Sequence, residues 1–175
     1  MKALFTTLIC LQILAIAFIP GKEFKASENH GVKLQVTTPA FSLGGMIPEK
    51  FSCKGQNINP AITVTDVPTT AISLAIIVDD PDAPKGIFTH WVAWDMPAHG
   101  AIMENNSTGT QGQNGMGGKG YTGPCPPSGI HRYFFKVFAL DKNLDLPLGS
   151  TKATVEAAMK GHIVGEGELM GKFSK

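Results

Sequence analysis

The sequence predicts a mainly β domain: an antiparallel β-sandwich with a long glycine-rich loop and a short C-terminal helix. Short runs along the chain are either near-continuously apolar or alternate apolar with polar, as strands with two or one buried faces do. The 20 glycines and 12 prolines are spread between these runs and punctuate them with turns. Only one stretch joins helical periodicity to capping signals, so the strand–helix rhythm of a parallel α/β sheet is missing.

The chain opens with MKALFTTLICLQILAIAFIPGKEFKASENH. One lysine precedes an apolar run from Ala3 to Ile19, short of the roughly 20 residues a spanning helix needs. Ala15-Ile16-Ala17 supplies a small-x-small cleavage signal. The expectation is a signal peptide over 1–17, a linker over 18–31 and one domain over 32–175, exported to the periplasm or secreted. An uncleaved N-terminal anchor is the alternative; after cleavage no membrane span is expected.

VKLQVTT (32–38) alternates and reads as a strand ended by Pro39. Residues 41–60 are turn-rich, a loop with short strand pieces. AITVTDV (61–67) is a strand bounded by Pro68, and AISLAIIVDD (71–80) is the best buried-strand candidate. THWVAWDM (89–96) follows, stopped by Pro97. Residues 104–129, ENNSTGTQGQNGMGGKGYTGPCPPSG, form the glycine-rich loop, long enough to be functional or mobile. HRYFFKVFALD (131–141) is a further strong strand. STKATVEAAMKGH (150–162) is the helix, with Ser150 as N-cap and Gly161 at its end. HIVGEGELMGKFS (162–174) closes the chain as an alternating strand.

Fifteen basic and 14 acidic residues leave a net charge of +1, which provides no field for nucleic acid or an anionic membrane. Export would leave Cys53 and Cys125 as an even pair in an oxidising compartment. They form either a disulfide or two thiols too far apart to meet, and spacing leaves both open. The chain has no CxxC or HExxH for zinc, no GxSxG elbow and no GK[ST] of a phosphate loop.

Strand register concentrates polar groups. In 71–80, Ile72, Leu74, Ile76 and Val78 share a face, Asp80 is next in that register, and Asp79 points away from it. In 88–96, Phe88, Val92, Trp94 and Met96 share their face with His90. In 131–140, Phe135, Val137 and Ala139 share theirs with His131 and Tyr133. An acid, two imidazoles and a phenol thus fall at strand ends on core-facing sides, where each uncompensated group costs about 1–3 kcal/mol. A pocket with convergent polar groups accounts for them. His90, His131, Asp80 and Asp82 also contain a two-histidine–carboxylate set, but no local spacing enforces a metal site.

DDPDAP, THWVAWDM and GYTGPCPPSGIHRYFFKVFALD, in that order, resemble the phosphatidylethanolamine-binding protein family. The likeness is strongest to its bacterial and archaeal Raf-kinase-inhibitor-like branch, and it covers nearly all of residues 32–174. It implies a β-sandwich with a small anion pocket at one end. Asp80 and Asp82 would come from the DPDAP turn, His90 from the next strand, Gly123 and Pro124 from the loop wall, and His131 and Tyr133 from the HRY strand. The histidines would donate to the anion while Asp80 orients one ring and favours its protonated form. The expected function is therefore non-enzymatic binding of phosphate or a phospholipid headgroup, without metal or cofactor. A protein kinase or protease is a further expected partner, and a homodimer is left open. A surface-acting inhibitor and a weak phosphoesterase are the alternatives.

Overall fold

The computed structural model describes residues 31–99, 101–106 and 108–175. The expected signal peptide lies outside the described residues, as does the expected linker apart from Gly31.

Nine strands and one α-helix organise these residues. The strands are β1 (Val32–Lys33), β2 (Gln35–Thr37), β3 (Ile62–Thr65), β4 (Ser73–Asp80), β5 (Phe88–Pro97), β6 (Ala101–Ile102), β7 (Thr110–Gln111), β8 (Ile130–Leu140) and β9 (Ile163–Ser174); the helix is α1 (Lys152–Met159). A six-stranded sheet has the order β1-β9-β8-β4-β5-β7, and a three-stranded sheet the order β2-β3-β6. All neighbouring strands pair antiparallel except β1, which runs parallel to β9. The expected antiparallel pairing therefore fails at one edge.

Every residue of β4 is buried, because both sides of the large sheet are covered. Leu74, Ile76 and Val78 join Tyr133, Phe135 and Val137 of β8 in the main core, together with Val36, Ile62, Val64 and Ile102 of the small sheet. Ala75 and Ile77 face the other way, into a second core with Val155 and Met159 of α1. A continuous apolar run is what such a doubly covered strand requires. Ile72, grouped with the buried face by alternation, precedes the strand and is exposed.

Four local expectations are corrected. VKLQVTT is not one strand: it breaks at Leu34, where the chain leaves the large sheet for the small one. That crossing presses on β9, since a Cβ at Gly167 would stand 2.4 Å from the Leu34 carbonyl oxygen. The 104–129 segment contains the edge strand β7, and Gly112, Gly115 and Thr122 donate further backbone bonds to carbonyls of β5. Thr151, not Ser150, caps α1, its Oγ1 accepting from the Thr154 N–H at 3.2 Å, while the Ser150 hydroxyl donates to the Pro147 carbonyl.

The fourth correction concerns β5. Opposite β4, its register slips between Val78 and Asp79, because Val78 pairs with Trp91 while Asp79 pairs with Thr89, leaving His90 as an extra residue. A second slip lies between Leu74 and Ile76. Bulges reverse the side a following residue faces. Trp91, Ala93 and Met96 therefore fill the main core, whereas Val92 and Trp94 turn to the helix side. His90 does not share a face with Val92 and Trp94 as plain alternation proposes.

Candidate functional site

At the end of the large sheet where β4 stops, a cavity of about 340 Å³ opens between three strand ends and the 122–127 segment. Clefts of about 640, 460 and 430 Å³ lie elsewhere, but none of those three is lined by a histidine. The smaller cavity brings together Asp80, His90, Gly123 and His131. Asp80, His90 and His131 are 3%, 5% and 7% exposed, so each is nearly removed from bulk water and needs a polar partner.

Each histidine has one ring nitrogen committed to the protein. Nδ1 of His131 lies 2.7 Å from Oδ2 of Asp80. Nδ1 of His90 lies 2.7 Å from the Thr122 carbonyl oxygen. Because a carbonyl only accepts, His90 carries its proton on Nδ1 and Nε2 is the remaining ring nitrogen. The Thr122 N–H returns a bond of 2.8 Å to the His90 carbonyl, closing a reciprocal pair between the bulge and the wall segment. Phe88 and Tyr133 enclose the ring, with centroids at 4.7 and 5.1 Å. Burial pushes the His90 imidazole below the usual histidine range, against the opposing pull of the Thr122 carbonyl and of Asp80 and Asp79.

The DPDAP turn aims Asp80. Its Oδ1 accepts the Asp82 N–H at 2.8 Å, an Asx turn that fixes the carboxylate plane and leaves Oδ2 for His131. Asp82 departs from its expected place: it does not line the cavity. It clasps Arg132 with both oxygens, at 2.9 and 2.6 Å, and accepts the Arg132 backbone N–H at 2.9 Å. That guanidinium holds the Asp82 carboxyl at about 2, well below the ordinary value. A short bidentate clamp of this kind ties the turn to β8.

Tyr133 and Pro124 are also outside the lining. Tyr133 stands behind His90 in the main core, its hydroxyl buried with no protein partner among the described residues. The Pro124 carbonyl instead accepts the Cys53 N–H at 3.1 Å. Gly123 is required sterically, since a Cβ there would lie 2.3 Å from the Phe51 carbonyl oxygen and 2.8 Å from Ser52 Cα. Its N–H donates to Asn57 Oδ1 at 2.7 Å. Cys53 and Cys125 are joined by a disulfide across the same wall, with their Cα atoms 5.5 Å apart, and both line the cavity. No group of three or more histidine, cysteine, aspartate or glutamate residues suited to a metal occurs among the described residues.

Sequence reasoning missed several contributors. Arg132 lies inside the HRY motif and was available as a partner for an acid of the DPDAP turn. Thr122 acts through its backbone carbonyl, which carries no residue-type signal, and Asn57 through a side-chain oxygen whose partner, Gly123, lies 66 positions away. Met116, exposed at 75%, and Phe88 add apolar lining.

The model of the phosphatidylethanolamine-binding protein family matches residues 37–174. A UPF0098 protein of Methanothermobacter thermautotrophicus is 44% identical over 150 residues, covering 81% of this chain and 99% of the relative. A UPF0098 protein of Aquifex aeolicus is 40% identical, covering 87% and 95%. Among solved structures, a phosphatidylethanolamine-binding protein homologue from Chlamydia trachomatis superposes with a TM-score of 0.79 at 41% identity, covering 82% of this chain and 98% of that one. YbcL of Escherichia coli, described as a member of the mammalian family, gives 0.74 at 27% identity, covering 82% and 99%.

Proposed function

The chain belongs to the phosphatidylethanolamine-binding protein family, and from that premise we propose that it is a non-enzymatic binding protein for a small phosphate-like anion. The two sheets are read as the layers of a sandwich, with the ligand site at one end and the glycine-rich 104–129 segment as part of its wall. One observation carries the reading: two buried histidines line one cavity, each with Nδ1 already engaged by the protein. The remaining Nε2 atoms are then the groups available to a ligand. Asp80 engages the His131 Nδ1, so the ring's other nitrogen, Nε2, is turned to the ligand with a carboxylate behind it. A hydrogen bond to a charged group contributes about 1.5–3 kcal/mol, so two give about 3–6 kcal/mol and binding in the millimolar to tens-of-micromolar range.

An oxidising location, periplasmic or secreted, belongs to the same reading and is supported by the cavity-lining disulfide. Modulation of a protein kinase or protease would use the rim of this cavity.

Calorimetry with inorganic phosphate tests the assignment. Asp80→Ala and His90→Ala are each expected to weaken binding about 10–100-fold. Unchanged affinity in both variants would overturn the site.

A further inference from the structure

Resting on that reading, we infer that the cavity selects a tetrahedral oxyanion that still carries an acidic proton, a phosphomonoester or hydrogen phosphate, and that His90 makes the selection as a fixed acceptor. The Nδ1 proton of His90 is committed to the Thr122 carbonyl at 2.7 Å. The ring cannot flip to exchange its nitrogens without breaking that bond, and Phe88 and Tyr133 pack against it. A neutral His90 therefore presents a lone pair at Nε2 to whatever enters.

Burial favours that neutral state. A fully deprotonated anion meeting this lone pair faces repulsion at close range. A phosphate that keeps one P–OH donates it to Nε2 and accepts from His131 with its other oxygens. The two histidines thus play unlike roles: His131 has a carboxylate at its Nδ1, Asp80 at 2.7 Å, while His90, backed by a carbonyl, receives a proton-bearing oxygen.

The chemistry separates ligands that share a tetrahedral shape. Monoesters have a second ionisation at about 6 and retain a protonated population near neutrality. Sulfate and phosphodiesters have no such proton. A diester lipid headgroup and a free monoester, two sources of the same phosphoryl group, are thereby told apart. Around His90, among the described residues, the titratable groups are Asp80 on β4, His131 and Tyr133 on β8, and Asp79 on the opposite face of β4; Arg132, which also feels Asp80, is clasped by Asp82 outside the cavity lining.

Calorimetry on the wild-type protein at pH 7 should compare inorganic phosphate, methyl phosphate, sulfate, dimethyl phosphate and glycerophosphoethanolamine. Methyl phosphate and phosphate are expected to bind at least tenfold more tightly than the other three. Nitrogen-15 NMR of the histidine rings should show His90 protonated at Nδ1, with Nε2 unprotonated in the free protein and hydrogen-bonded on adding phosphate. His90→Gln, whose amide can turn either a donor or an acceptor inward, should bring phosphate and sulfate to within about threefold. Equal binding of sulfate, or of either diester, by the wild-type protein overturns the selection while leaving the anion site standing. Failure of every anion to bind overturns both.

Discussion

Asp79 and Asp80 sit side by side at the end of β4, each 3% exposed, on opposite sides of the large sheet. Asp79 turns to the helix side. Its Oδ2 lies 2.6 Å from Lys152 Nζ of α1 and 3.7 Å from Lys136 Nζ, and its Oδ1 accepts the Thr89 hydroxyl at 2.9 Å. Asp80 turns to the cavity side and meets His131 and the Asp82 N–H. Burial is equal, so burial alone does not mark the acid that lines the cavity. The partners differ: Asp79 faces two ammonium groups and a hydroxyl away from the cavity, whereas Asp80 faces an imidazole that lines the cavity with it. A buried acid whose charge is compensated within the protein holds the fold together. One whose partner remains free to act on a ligand can serve a site.

The cavity side also has a covalent tie, and breaking it should have the largest effect. Replacing both cysteines, Cys53→Ser with Cys125→Ser, should lower stability by about 4 kcal/mol, from the 72-residue separation the bond closes. Urea unfolding measures it. A loss below about 1 kcal/mol would show that the Gly123–Asn57, Cys53–Pro124 and Tyr121–Phe51 hydrogen bonds hold the wall unaided.

Next in size is the helix side. Asp79→Ala leaves the Lys152 ammonium with only the more distant Glu156 carboxylate, at 3.7 Å, and should cost about 2 kcal/mol, below a fully broken buried pair because Lys152 keeps that partner and some access to water. Phosphate affinity should stay within about threefold of wild type, as for an independent site. Calorimetry and urea unfolding together decide this. An affinity loss matching that of Asp80→Ala would mean that the two faces act as one unit through Thr89 and His90.

The smallest effect belongs to the exposed clamp. Asp82→Asn should cost about 1 kcal/mol, as expected for a bidentate pair near the surface. The Asp82 carboxyl is held at about 2, below its ordinary 3.8, so its contribution is full above 3.8 and lost as pH falls from 3.8 towards 2. The variant should flatten the acid limb of the stability–pH curve in that window. An unaltered limb would show that Arg132 is not held by Asp82 in solution.

The contrast also shows what was readable beforehand. Alternation correctly separated Asp79 from Asp80, because the side-chain period along β4 survives to its end. What alternation could not supply was a cover for the second face, so Asp79, expected to point away from the core, enters another core beneath α1. On β8 the reading of His131, Tyr133, Phe135, Val137 and Ala139 as one face held, since the strand runs without a slip against β9 from Ile130 to Ala139 and against β4 from Phe134 to Leu140. On β5 it failed at Val92 and Trp94, because the bulge at His90 inserts one residue and reverses the sides that follow, until the second slip returns Met96 to the main core.

By itself the sequence determined the mainly β class, the approximate strand boundaries and a motif set covering nearly the whole domain. These are local properties, set by side-chain periodicity, by turn residues and by residue types at fixed offsets. Tertiary structure decided which polar groups meet. Arg132 captures Asp82 across 50 positions and Thr122 fixes the His90 tautomer across 32. The pairing of Cys53 with Cys125 closes the same wall across 72. Such pairings depend on distances between segments remote in the chain, which no local pattern encodes; they exist only once the strand register, bulges included, has brought those segments together.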